Sequence, residues 1–367
     1  VNSATGVGRG TTLVAALVFI ALVVAAIGSL GAPLITSVAQ GYRVSLSAAQ
    51  WTLTITLLSG AVATPLLGRL GSARRRRRVV LATLAIVTLG SVATVVPGPF
   101  VVLLAGRAAQ GVGLGLTALM MATARQQLGA RAPSTIAVLS VASTVGIGVG
   151  YPIAGLLAQV GGVRVAYLLG VVVAASALIT AIVALPRDSA DVPRDETVDW
   201  LGASLLSLGL VAVLVVTSES GLWAGNPALA GLILAAGLGF LAGWVAVERR
   251  VARPLVDLAA LRHPAVAGAN LIMGVSGIGM YLLFTLITRY VQTPPLVGYG
   301  YGLTEVEAGL VLVPFSVLGF VAGRMVPKLR QRPFASVNQV VRSVGFSIGS
   351  AFGGLILAAY TAPGRFP

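Results

Sequence analysis

Apolar positions along this chain fall into long unbroken runs, neither alternating nor confined to one helical face. Thr11–Gly31, Val79–Val96 and Ala228–Val247 are apolar all round, and each has the roughly 20 residues that a helix needs to cross the hydrocarbon core of a bilayer. Runs of this kind predict eleven spans, near 11–31, 48–68, 79–97, 99–122, 136–159, 165–185, 199–217, 228–247, 265–288, 305–326 and 336–360. A transmembrane barrel also satisfies its backbone in lipid, but its strands alternate apolar and polar residues over about ten positions, and these segments do not. The first run is too long for a signal peptide and is followed by further spans, so it is read as helix one.

Composition agrees, with 57% of 367 residues hydrophobic and 10% charged, more apolar surface than a soluble domain of this length can hide. The net charge of +15 and the five arginines Arg74–Arg78 would suggest nucleic acid in a soluble protein. Beside membrane spans they mark the cytoplasmic side and meet lipid headgroups, so no nucleic-acid partner is expected. Sorted over alternate sides, nineteen of the 25 basic residues fall on the face that carries Arg9, Arg74–Arg78 and Arg249, against four on the other, while Arg107 and Arg342 fall inside spans. This count predicts a cytoplasmic N-terminus. There is no cysteine, and no Walker-type loop, metal-ligand cluster or nucleophile triad, so neither enzyme activity, cofactor nor metal is expected.

Pro186–Asp199 holds five of the ten carboxylates and two prolines and reads as a linker. The predicted organisation is a six-helix lobe over 1–187, a cytoplasmic linker over 188–198, an additional two-helix hairpin over 199–248, a cytoplasmic loop over 249–264 and a partial second lobe over 265–367. A weak internal repeat, Gly68-Arg69-Leu70-Gly71 at the end of helix two and Gly323-Arg324-Met325-Val326 at the end of helix ten, is what two related lobes would show.

Three motifs carry a resemblance. Gly68-Arg69-Leu70-Gly71 and the arginines that follow, Arg76 and Arg77 among them, form the loop after helix two. Helix four holds Arg107-Ala108-Ala109-Gln110-Gly111. Helix five holds Gly146-Ile147-Gly148-Val149-Gly150-Tyr151-Pro152, followed by Gly155. The chain resembles the major facilitator superfamily, in its branch of fourteen-helix drug:proton antiporters. That implies an all-α, two-lobed transporter with an extra central helix pair, the loop serving as a gating element and the helix-five glycines as the antiporter motif. Physically, such glycines let a neighbouring backbone approach closely, and Pro152 is expected to kink the helix. The resemblance also implies two helices between Arg332 and Phe334 and one after Pro367, so the chain is expected to be shortened or incompletely represented.

The resemblance implies secondary export of small amphipathic molecules, drugs or natural products, exchanged for protons across a bacterial plasma membrane. The alternatives are a non-transporting sensor or scaffold, or a uniporter. Residues 1–187 contain no Asp or Glu, and the aspartate usual in the loop motif is Ser72, so the carboxylate that proton coupling needs must lie elsewhere. Glu219, at the outer end of helix seven, is the candidate proton site. Glu307 fits a capping box with Thr304, as Gln50 does with Ser47. Arg107 lies about 13 Å below the outer end of its helix and must find partners away from lipid. Helix carbonyls, Gln110, a carboxylate of the other lobe and the substrate are all open to it. We expect it to face the central cavity and favour substrates with an acidic or strongly polar acceptor, the alternative being a structural arginine. Gln110, Tyr151, Asn270, Tyr281 and Gln339 are further candidates for the cavity wall, with Thr52 and Thr54.

Overall fold

A computed structural model describes residues 3–71, 75–187, 199–218, 220–251, 254–256, 258–297, 300–314 and 317–318. Thirteen α-helices run in the order α1 Ser3–Ser29, α2 Ile35–Tyr42, α3 Leu46–Leu70, α4 Arg76–Val95, α5 Phe100–Val112, α6 Leu116–Gln127, α7 Ala132–Ala184, α8 Trp200–Ser218, α9 Ser220–Gly225, α10 Pro227–Glu248, α11 Leu258–Leu261, α12 Pro264–Gln292 and α13 Glu305–Val311, and there is no strand among the described residues. Among the described residues, eight helical stretches are long and apolar enough to cross a membrane. One of them contains both of the spans expected over 136–185, because α7 turns at Gly161 and Gly162 (φ 74°, ψ −177°), a left-handed position suited to glycine. Pro152 lies within regular helix, so the break falls at the glycine pair. The span expected at 99–122 extends to Gln127 through a 3₁₀ turn at Gly113–Gly115. The later part of the tenth span and all of the eleventh lie outside the described residues.

The cap of α3 differs from the expected one. Its N-cap is Ser45, whose hydroxyl accepts the Ala48 backbone N–H at 3.1 Å. Ser47 lies inside the first turn, and Gln50 is turned into the protein (2% exposed). The box at α13 forms as expected: Thr304 and Glu307 exchange backbone and side-chain hydrogen bonds.

Outward faces carry large apolar residues, among them Leu89, Val101, Val183 and Leu232, each at least two-thirds exposed, as lipid-facing positions do. In lipid, helices gain little from burying apolar surface and associate through close packing instead. Packing here is tightest where glycines remove side chains. A Cβ on Gly111 of α5 would collide with the Thr56 carbonyl of α3, which brings α5 into the middle of the first lobe against α3 and α4, with α7 packed on α1 and α4. The α8–α10 hairpin is peripheral: 11% of the most apolar window of α10 is buried, and α8 touches α3.

Candidate functional site

Arg107 is fully buried in the middle of the first lobe. Its Nε donates to the Thr52 carbonyl of α3 at 3.0 Å, and its Nη1 to the Ile27 carbonyl of α1 at 3.2 Å and to Gln110 Oε1 at 2.7 Å. Ile27 lies in the last turn of α1, and its carbonyl also accepts the Leu30 backbone N–H at 3.3 Å. Gln110 Nε2 donates in turn to Ser91 Oγ of α4 at 3.0 Å. The guanidinium carbon lies 5.6 Å from the centre of the Tyr167 ring in the second half of α7, within cation–π range. Arg107 and Gln110 together thus connect α1, α3, α4 and α7 to α5. Carbonyl dipoles and an aromatic face surround the charge, and of the partners open to Arg107 in the sequence it takes helix carbonyls and Gln110. Nη2 has no hydrogen-bond partner among the described residues, and a Cβ on Gly31 would stand 2.9 Å from it.

We call the end of the bundle that carries Arg76 and Arg77 the basic end, and the opposite one the far end. The two lobes meet at the far end. Thr36 Oγ1 donates to Gln292 Oε1 at 3.1 Å, Gln292 Nε2 to the Pro33 carbonyl at 3.4 Å, and Ser37 Oγ to Glu305 Oε1 at 2.6 Å. Just below, Tyr151 of α7 packs edge-on to Phe284 of α12 (5.5 Å between centroids), and Phe284 packs on Tyr281 (5.7 Å). Tyr151 and Tyr281 therefore share one buried aromatic cluster across the lobes. Asn270 lies three turns nearer the basic end of α12, 9% exposed, and both ends of its amide lack hydrogen-bond partners among the described residues.

The helix-five glycines sit in these contacts. A Cβ on Gly146 would strike the Leu22 carbonyl and one on Gly150 the Ser29 hydroxyl, both on α1, while one on Gly155 would strike the Glu305 carbonyl of the second lobe. From the other side, a Cβ on Gly309 would come 2.8 Å from the Tyr151 carbonyl and 2.9 Å from Pro152 Cα. Ser37→Ala is expected to raise about tenfold the rate at which a water-soluble maleimide labels a Phe284→Cys reporter, the equivalent of about 1.5 kcal/mol for a hydrogen bond to a charged acceptor. The chain has no native cysteine to interfere.

At the basic end, Arg76 Nε donates to the Gly71 carbonyl at 3.0 Å and its Nη1 to Gln126 Oε1 of α6 at 2.6 Å. Arg77 Nη2 donates to the Ile182 carbonyl in the last turn of α7 at 2.8 Å, a favourable place for a cation. Gly71 packs on Leu119, whereas Gly68 has open space around it, and Arg69 is half-buried. Glu219 and Gln339 lie outside the described residues. The sequence reading missed Ser37, Gln292 and Tyr167, and it saw Glu305 only as a helix start. Small polar residues near a helix end carry no signal of a partner more than 250 positions away.

The Major Facilitator Superfamily model matches residues 17–364. The chain belongs to this superfamily. It is 32% identical over 248 residues to the multidrug resistance protein B homolog of Mycobacterium tuberculosis, covering 66% of this chain and 45% of that protein. It is 30% identical to the puromycin resistance protein pur8 of Streptomyces alboniger, covering 81% of this chain and 59% of that one. The chain thus spans about half the length of these relatives. Among solved structures, a peptide transporter in complex with sulfate superposes with a TM-score of 0.59 at 14% identity, over 95% of this chain and 89% of that one. This likeness shows the fold. The chain is a multi-pass membrane protein of the major facilitator type, with the all-α architecture expected.

Proposed function

We propose that this major facilitator chain is a secondary exporter of small amphipathic molecules, drugs or natural products, that alternates access between its two lobes and is driven by proton antiport. The observation that carries the reading is the placement of the helix-five motif: Gly155 seats the first lobe directly on the backbone of Glu305 in the second. A contact with no side chain between two backbones can part and re-form as the lobes rock. The names of the relatives, multidrug and puromycin resistance proteins, support an exporter and a small-molecule substrate. In this reading the basic end, with the N-terminus, faces the cytoplasm of a bacterium, and the far end is the outer gate, closed in this structure. Residues 1–187 form the first lobe, 199–248 an accessory hairpin and 265–367 part of the second lobe. Arg76 and Arg77 pin the gating loop to the neighbouring helix ends.

Tyr151, Tyr281 and Asn270 then line the path, with unmet hydrogen-bonding capacity at the Tyr151 hydroxyl and the Asn270 amide. Nη2 of Arg107 is a donor for an acidic or polar acceptor on the substrate, held next to Gln110. Glu219 and Gln339 complete the proposed proton and cavity sites. The absence of any carboxylate in residues 1–187 favours a second reading, a uniporter on the same fold. The full-length protein in liposomes distinguishes them. Uphill efflux of amphipathic drugs that requires an imposed proton gradient is expected, passive equilibration unaffected by the gradient would identify a uniporter, and no flux with retained binding would identify a sensor or scaffold.

A further inference from the structure

Asp199, the residue before α8, and Glu248, the last residue of α10, meet at the basic end of the hairpin. Asp199 Oδ1 accepts the Gly202 backbone N–H at 2.8 Å and caps α8. Glu248 Oε1 accepts the Val256 backbone N–H of the following loop. Each carboxyl thus spends one oxygen on backbone. The other two, Asp199 Oδ2 and Glu248 Oε2, are buried and have no hydrogen-bond partner among the described residues, and Glu248 as a whole is 3% exposed. Both approach one point, because a Cβ on Gly202 would collide with Asp199 Oδ2 and stand 3.2 Å from Glu248 Oε2. The indole N–H of Trp244 lies within hydrogen-bonding reach of the Glu248 carboxyl.

Two carboxyls that converge on one point disfavour double ionisation, because like charges repel. Each buried oxygen left without a donor also costs stability. A single proton removes both penalties: an O–H on either carboxyl donates to the free oxygen of the other. We propose that Asp199 and Glu248 form a proton-binding site, a carboxyl pair that holds one proton between them on the hairpin outside the two lobes. Arg69, in the last turn of α3 where it packs on α8, is within electrostatic reach of Glu248 and favours release of that proton. Arg249 and Arg250 follow α10 and are exposed to solvent. Arg253 and Asp257 of the same loop lie outside the described residues. The site binds its proton whether or not the chain is an exporter.

Infrared difference spectroscopy of the full chain in liposomes tests this. Exposed carboxyls lose their protons near pH 4 or so, so a protonated-carboxyl C=O band that persists into neutral buffer and shifts in heavy water belongs to a buried pair. That band is expected in the wild type and absent from both Asp199→Asn and Glu248→Gln. In Arg69→Gln, which leaves both carboxyls in place, its titration midpoint moves to higher pH because a positive neighbour is gone. A wild type with no such band, a band that survives both carboxyl substitutions, or carboxylate bands that respond to metal cations at constant pH would overturn the proposal. If the carboxyl variants fail to fold, a midpoint unmoved in Arg69→Gln would overturn it on its own.

Discussion

Arg107→Gln is expected to destabilise the folded chain by about 1–3 kcal/mol, the range for leaving a buried polar group without its partner. It is also expected to lower export of every substrate at least about tenfold, the equivalent of about 1.4 kcal/mol in the barrier. Glutamine is shorter and ends in one amide, so it cannot reach Ile27 and Thr52 together while still engaging Gln110. The Ile27 carbonyl, in the last turn of α1, then loses the side-chain donor that reaches it from α5, and Gln110 loses the donor that orients it towards Ser91. Arg107→Lys retains the charge but is expected to recover little, because an ammonium lacks the planar fork that spans these three acceptors. Thermal unfolding in detergent reads the first effect and liposome efflux the second. A Gln variant that melts with the wild type and exports normally would show the node to be idle. A loss greater for acidic than for neutral substrates would place Nη2 on the substrate path.

The second large effect is expected from Gly155→Leu. Its Cβ alone would occupy the position of the Glu305 carbonyl, so the lobes cannot close at the far end unless α13 moves away. If the chain is the proposed exporter, export is expected to fall at least about tenfold, because that cycle loses its closed state, and overpacking of this kind costs about 1–3 kcal/mol where the structure can yield. Labelling of the Phe284→Cys reporter should rise in parallel, since the cluster of Tyr151, Phe284 and Tyr281 lies directly beneath this contact. Gly239→Ala, at a position with open space around it, is the matched control and should change neither readout. Normal export by Gly155→Leu with an unlabelled reporter would remove the far-end contact from the mechanism.

Arg107 shows where the limit of the sequence lies. Its depth in an apolar helix was enough to say that it needs partners, because no water reaches that level. Which partners it takes depends on α1 ending at Ser29 and on α3 presenting Thr52 to it, a matter of how three helices are rotated about their axes. The same holds for the helix-five glycines, whose spacing announces close approach without naming the neighbour. Ser47 and Gln50 form a plausible cap in one dimension, yet Ser45 holds the position. The chain enters α3 two residues earlier, and Gln50 lies within 3.4 Å of Thr285 on α12. Asp199 and Glu248 read separately as the ends of two helices. They become a pair only because those helices run antiparallel and Gly202 leaves room between them.

Hydropathy and charge along the chain are enough to show a bundle of membrane-spanning helices with most of its charges gathered at their ends, and three short motifs pointed to its superfamily. That much is legible because lipid is a uniform solvent: length and hydropathy decide insertion one segment at a time. Tertiary structure alone decided that Arg107 is bonded to carbonyls of α1 and α3, that Gly155 rests on Glu305, and that two carboxyls on the hairpin face each other. Between helices already in lipid, pairing is decided by shape and by a few hydrogen bonds. Those exist only once the segments are packed against one another.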